Sequence, residues 1–167
     1  MLVGILSDIH DNIEALRKAL ALLQGTETLI CCGDLCSPFI INELGKGYQK
    51  DIHIVFGNND GDLYRITQNS KAFPQIHLHG EMAEIELDGC RFGINHYDTI
   101  GRVFADSDRY DIVCFGHNHR YEISHVKNTL VINPGEILGA LSGTSTVTSR
   151  IEIVKSDVIK IVRKREE

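Results

Sequence analysis

A chain of 167 residues with 43% hydrophobic content can bury one substantial core and is too short to promise two, so residues 1–167 are expected to form a single domain. A net charge of −6 and an isoelectric point near 5.7 exclude a broad basic face, which argues against nucleic acid or an anionic membrane as partner. Any anionic substrate must then be drawn by something local, such as bound cations.

Leu2 to Leu6 is an apolar run with β-branched members, as expected for a strand buried on both faces. After the polar loop Ser7 to Asp11, the residues Ile13, Leu16, Leu20 and Leu23 share one face at helical spacing. Asp11 and Glu14 resemble a capping box, and Gly25 ends that helix. Thr28 to Cys32 is a second strand, Phe39 to Leu44 a short helix closed by Gly45, and Ile52 to Phe56 a third strand ending at Gly57. Alternating β and α elements predict a mostly parallel sheet here.

The second half reads as shorter strands with one helix around Thr99 to Asp106. Met82 to Leu87 and Cys90 to Asn95 flank Asp88-Gly89, a dipeptide suited to a type I′ turn. Tyr121 to Val126 and Thr129 to Ile132 flank Lys127-Asn128, and Val147 to Val154 and Val158 to Val162 flank Ser156-Asp157. No repeat or Pro-rich linker marks a boundary. The expected fold is α/β, a four-layer α/β/β/α sandwich of two mixed sheets flanked by helices. Exposed sheet edges leave a homodimer open.

Five polar clusters each begin where an apolar strand stops: Asp8 with His10, then Asp34, Asn58, His96, and His117 with His119. Loops at the carboxyl ends of strands gather along one crevice, so residues far apart in sequence converge there. Imidazole nitrogens, carboxylates and an amide oxygen suit borderline divalent ions such as Mn²⁺, Fe²⁺, Zn²⁺ or Ni²⁺. Gly33, Gly57 and Gly116 precede Asp34, Asn58 and His117 and supply backbone freedom at the strand exits.

The succession D-I-H, G-D, G-N-N-D, an isolated His after a strand, and G-H-N-H resembles the calcineurin-like metallophosphoesterase family, in particular its small single-domain bacterial and archaeal phosphodiesterases. The resemblance covers nearly the whole chain. It implies two divalent metal ions, Mn²⁺ first with Ni²⁺, Fe²⁺, Zn²⁺ or Mg²⁺ as other candidates. Asp8, His10, Asp34 and His119 would hold one ion, and Asp34, Asn58, His96 and His117 the other, with Asp34 bridging. It further implies a phosphodiesterase acting on a small phosphate ester, by in-line attack of a hydroxide shared by two ions that lower the pKa of water from about 15.7 towards roughly 7.

Two positions depart from the family pattern. Asn59 stands where many members carry His after the ligand Asn, and Tyr97-Asp98 where others carry Gly-His. Asn58, Asn59 and Asp98 are the candidate catalytic residues: Asn59 can donate a hydrogen bond to phosphate, and Asp98 can orient a ligand or act on a proton. Asn133-Pro134-Gly135 resembles the family's closing turn, followed here by Glu136 rather than a small hydroxyl residue. A membrane-trafficking scaffold with an impaired metal centre shares this fold, and nucleases and phosphomonoesterases share the chemistry; the complete ligand set speaks against the scaffold.

The remaining residues read blandly. Cys31, Cys32, Cys36, Cys90 and Cys114 contain no C-x-x-C pair and read as reduced thiols. With no positive n-region or cleavage site, and no apolar run near the roughly 20 residues that span a bilayer, a cytoplasmic location is expected. Lys160 to Arg165 reads as a solvated end, and His53 and His125 lie outside the pattern; His77 and His79 alternate on one strand face, which reads as solvated with an accidental chelate as the alternative, and Asp60 as a turn former, a supporting partner or a substrate contact.

Overall fold

The computed structural model describes residues 1–139, 147–154 and 157–165, with side chains for 1–139, 151 and 152. Strand β1 (Leu2–Leu6) enters at the centre of a six-stranded sheet of order β11-β10-β1-β2-β3-β4. Its parallel partners are β2 (Thr28–Cys31), β3 (Ile52–Ile54) and β4 (Ile76–Leu78). On its other side, β10 (Val147–Val154) and β11 (Asp157–Arg165) add antiparallel, with a register shift between Glu152 and Ile153. The Ser156 part of the expected hairpin turn and the side chains of Lys160 to Arg165 lie outside the described residues.

The second sheet has the order β5-β6-β7-β9-β8. Its hairpins are β5 (Met82–Leu87) with β6 (Cys90–Asn95), and β8 (Glu122–Val126) with β9 (Thr129–Asn133). Between them β7 (Ile112–Cys114) pairs parallel with both β6 and β9, so this sheet is mixed as expected. Asp88 and Gly89 both take positive φ, 50° and 81°, as the expected turn requires. The other turn takes positive φ at Lys127.

Alternation in the strands sorts side chains into layers. Val3, Ile5, Ile30 and Val55 from the first sheet meet Phe92, Ile94, Ile112 and Ile132 from the second in the central core. Leu6, Leu29, Ile52 and Ile54 face the opposite way. They pack under α1 (Ile13–Leu23), α2 (Phe39–Gly47) and α3 (Leu63–Ser70). Val113, Phe115 and Val131 lie under α4 (Asp98–Asp106), which completes four layers, α/β/β/α. Among the described residues, no helix is long and apolar enough to cross a membrane.

Two local expectations change. The cap of α1 is Asn12, whose side chain accepts from the Ala15 amide at 3.1 Å, because the Asp11 carboxylate is taken by Ser37, at 2.9 Å from its N and 2.6 Å from its Oγ. Helix α2 runs through Gly45 to Gly47: Gly45 is a packing residue, since a Cβ there would strike the Phe73 ring. Helix α3 is not among the expected elements; it is short and polar, burying Ile66 while Leu63 and Tyr64 are exposed.

Candidate metal centre

Every side chain of the expected ligand set leaves a loop at a strand's carboxyl end, and most of these residues sit in unusual backbone conformations. Asp8, His10, Asp34, His117 and His119 take φ of 55°, 44°, 56°, 67° and 60°. Left-handed non-glycine residues are uncommon and cost energy, and they cluster where surrounding structure holds them for function. Here the loops hold one another. Asp8 N donates to Gly33 O at 3.1 Å, His10 N to Asp34 O at 3.1 Å and Gly116 N to His96 O at 2.9 Å, while Ile137 N and Leu138 N both donate to Asp8 O. Asp60 is resolved as a loop clamp: its partly buried carboxylate accepts from Gly57 N at 2.7 Å, Cys36 N at 2.8 Å and Asp34 N at 3.2 Å.

The side chains then converge. Asp8, His10 and His119 offer ligand atoms within 4.8 Å of one another, and so do Asp8, Asp34 and His96. Asp34 Oδ2 stands between the imidazoles, 3.4 Å from His10 Nε2 and 3.5 Å from His96 Nε2. Asn58 Oδ1 lies 3.1 Å from His96 Nε2 and 2.9 Å from His117 Nδ1. All seven expected ligands therefore meet in one crevice built by both sheets.

Two atoms test whether cations fit. Asp8 Oδ1 and His10 Nε2 are buried and have no hydrogen-bond partner, although unsatisfied buried polar atoms are costly. Both point into the cluster, with Asp8 Oδ1 3.3 Å from His119 Nε2 and 3.8 Å from His10 Nε2. A divalent ion would satisfy both, and the mixed nitrogen and oxygen donor set suits it.

Groups behind the ligands fix their chemistry. His96 Nδ1 lies 2.7 Å from the Cys32 carbonyl, which can only accept, so in the neutral imidazole Nε2 presents its lone pair to the crevice. His119 Nδ1 lies 2.6 Å from Glu136 Oε2, with the same effect on its Nε2. Burial would push Asp34 up, but hydrogen bonds from His96 and Asn59 outweigh it and hold its carboxyl well below the usual range. The Asp8 carboxylate, then Asp34, pushes His10 up against a smaller effect of burial. Burial opposes a rise at His96, and Asp34 with the Cys32 carbonyl outweighs it. Cation binding must displace these protons, so it tightens as pH rises.

The two candidate catalytic side chains outside the cluster are already engaged. Asn59 donates to Asp34 from its backbone N at 2.9 Å and its Nδ2 at 2.8 Å, so it braces that carboxylate. Asp98, in the first turn of α4, accepts from Asn118 Nδ2 at 3.1 Å. Asn133 Nδ2 in turn reaches Asn118 Oδ1 and Gly116 O, both at 2.9 Å, which anchors the G-H-N-H loop. Tyr97 stands edge-on to His96 and His117, with ring centroids 5.3 and 5.1 Å away.

Glu136 was visible in sequence only as a departure from the family's closing turn. It is 2% exposed, and a carboxylate behind a histidine fixes ring orientation and raises basicity. Glu136→Ala should weaken binding of one ion by about 10- to 100-fold in a metal titration. Glu136→Gln, whose amide oxygen still accepts from Nδ1, should recover much of it. Equal affinity in the alanine variant would remove Glu136 from the centre's support.

Comparison with known proteins places this geometry. The model of the calcineurin-like phosphoesterase superfamily domain matches residues 1–155. The chain is 34% identical over 151 residues to a phosphodiesterase of Methanocaldococcus jannaschii, covering 88% of this chain and 90% of that one. Its fold is similar to the solved structure of an archaeal phosphodiesterase, with TM-score 0.86, 30% identity, and 98% and 100% of the two chains covered. The fold is also shared with Vps29 of Entamoeba histolytica, solved with zinc, at TM-score 0.67 and 18% identity over 99% and 98% of the chains. The chain thus belongs to the calcineurin-like phosphoesterase superfamily, and with it to the phosphoric ester hydrolases.

Proposed function

We propose that the protein hydrolyses small phosphodiesters at a two-cation centre. Asp8, His10, Asp34 and His119 hold one ion, and Asp34, Asn58, His96 and His117 hold the other, with Asp34 shared. The orphaned pair Asp8 Oδ1 and His10 Nε2, buried and aimed into the cluster, carries this reading. When bound, the ions supply an activated water and neutralise charge on the phosphate oxygens, so that attack runs in line.

The chain's own residues prepare the site. Glu136 and the Cys32 carbonyl keep the Nε2 lone pairs of His119 and His96 facing the crevice. Asn59 keeps the shared carboxylate in place, and Asp98 acts through Asn118 on the G-H-N-H loop. Asn59 and Asp98 are therefore positioning residues in this reading, and Tyr97 forms a wall beside His117. The preference for diesters rests on the likeness to the Methanocaldococcus phosphodiesterase. Mn²⁺ is the preferred ion, residues 1–167 act as one domain, and the protein works in the cytoplasm.

The test is hydrolysis of bis-p-nitrophenyl phosphate and p-nitrophenyl phosphate by chelator-stripped protein, with Mn²⁺, Ni²⁺, Zn²⁺ or Mg²⁺ restored singly. Cation-dependent turnover favouring the diester is expected. Preference for the monoester would overturn the substrate class. No turnover with any ion, together with no ion bound, would move the protein to the scaffold role.

A further inference from the structure

At the edge of the first sheet, away from the crevice, three histidines that read in sequence as lying outside the pattern or on a solvated face are instead packed together and half-buried. His53 on β3 and His77 on β4 are direct cross-strand partners, and His79 follows His77 by two residues, so all three leave one face of the sheet. That face is opposite to the one on which Ile52 and Ile54 enter the helix-covered core. His53 stacks on both neighbours, with ring centroids 5.0 Å from His77 and 5.2 Å from His79. His53 Nδ1 lies 3.0 Å from His79 Nε2, and His77 Nε2 lies 3.0 Å from Asp51 Oδ1.

A hydrogen bond between two imidazoles needs one donor and one acceptor, so the His53–His79 contact requires a ring nitrogen without a proton. Burial, and then the neighbouring imidazoles, push His53 down to about 4, and burial with His77 pushes His79 down as well. At neutral pH these rings are uncharged, the state in which imidazole binds metal. Two imidazole nitrogens on one tetrahedral ion at about 2.0–2.1 Å stand roughly 3.3 Å apart, close to the separation found here. The cluster opens to solvent, with 42% of the His77 side chain and 62% of Asp51 exposed, which gives an ion a path in.

We propose that His53, His77 and His79 form a peripheral site for a borderline divalent cation such as Zn²⁺ or Ni²⁺, separate from the phosphoesterase centre. His53 Nδ1 and His79 Nε2 are its first two ligands. On binding, the ring that donates in this contact shifts to its other tautomer and carries its proton on the far nitrogen, and His77 turns from Asp51 to become the third, with water completing a tetrahedron. The site is independent of the two-cation reading, because none of its residues belongs to the crevice.

Equilibrium dialysis against micromolar Zn²⁺ alone tests it on wild-type protein, on His53→Gln/His79→Gln and on Asp34→Asn. The double variant should bind one equivalent less than wild type and retain Mn²⁺-dependent diester hydrolysis; Asp34→Asn should retain the peripheral equivalent. Equal zinc content in wild type and the double variant would overturn the site. Should the double variant fail to fold, imidazole NMR signals of His53 and His79 in wild-type protein decide instead. Shifts on zinc addition support the site, and unmoved signals at excess zinc reject it.

Discussion

Asp34→Asn should lower cation-dependent diester hydrolysis by roughly 10³-fold or more while leaving the metal-free fold close to wild type. The asymmetry follows from where the side chain sits. Its carboxylate is 1% exposed, lies between His10 and His96, and accepts two hydrogen bonds from Asn59. Asparagine has nearly the same volume, so no cavity forms. It removes the negative charge that two cations would share, and it turns an NH₂ group towards either Asn59 or the ions. A cation that binds only the native state raises thermal stability by mass action, so the rise in Tm on adding Mn²⁺ to stripped protein should shrink with the same substitution. Turnover and metal-induced stabilisation both near wild type would sink the assignment of Asp34.

Gly116→Ala should damage the centre from the opposite side. A Cβ at Gly116 would strike Ser7 Oγ and Asp8 Oδ2, both on fully buried side chains. Neither can give way cheaply: Ser7 Oγ donates to Cys32 O at 3.2 Å, and Asp8 Oδ2 accepts from His117 N at 3.2 Å. The obstacle is space, since the residue's φ is not left-handed. Overpacking of this kind costs about 1–3 kcal/mol, or a Tm lower by a few degrees to roughly ten. Because the displaced group is Asp8, cation affinity should fall by about 100-fold, beyond what the loss of stability alone would produce. Differential scanning calorimetry beside metal titration separates the two effects, and wild-type affinity would show that the loop relaxes without moving Asp8.

The site was more legible in the sequence than parts of the fold. Asp8, His10, Asp34, Asn58, His96, His117 and His119 each follow an apolar run, and strand ends in such a sheet share an edge, so their meeting needed no knowledge of side-chain contacts. The hairpin at Asp88-Gly89 was likewise local chemistry, because the backbone conformation and the residue types fix each other. What escaped depends on distant partners. Gly45 looks like a helix stop until Phe73 packs on it, and Asp11 looks like a cap until Ser37 takes its carboxylate. Helix α3 escaped because it is short and mostly polar, with Ile66 buried and Leu63 and Tyr64 facing solvent near its start. Glu136 and the His53–His79 contact are pairings across 17 and 26 residues that no spacing rule announces.

The crevice draws its side chains from both sheets, and the backbone bond from His117 to the Asp8 carboxylate closes a separation of 109 residues. A contact of that sequence separation is non-local, and its two ends meet only when both sheets are in place. Folding intermediates with either sheet alone would lack half the donors, and no fragment of the chain could bind as the whole does. Cation affinity is in that sense a readout of completed assembly. An ion held there would also act as a removable cross-link between the two sheets, so that chelation loosens the sandwich at its seam first, and the unfolding rate becomes a function of metal supply.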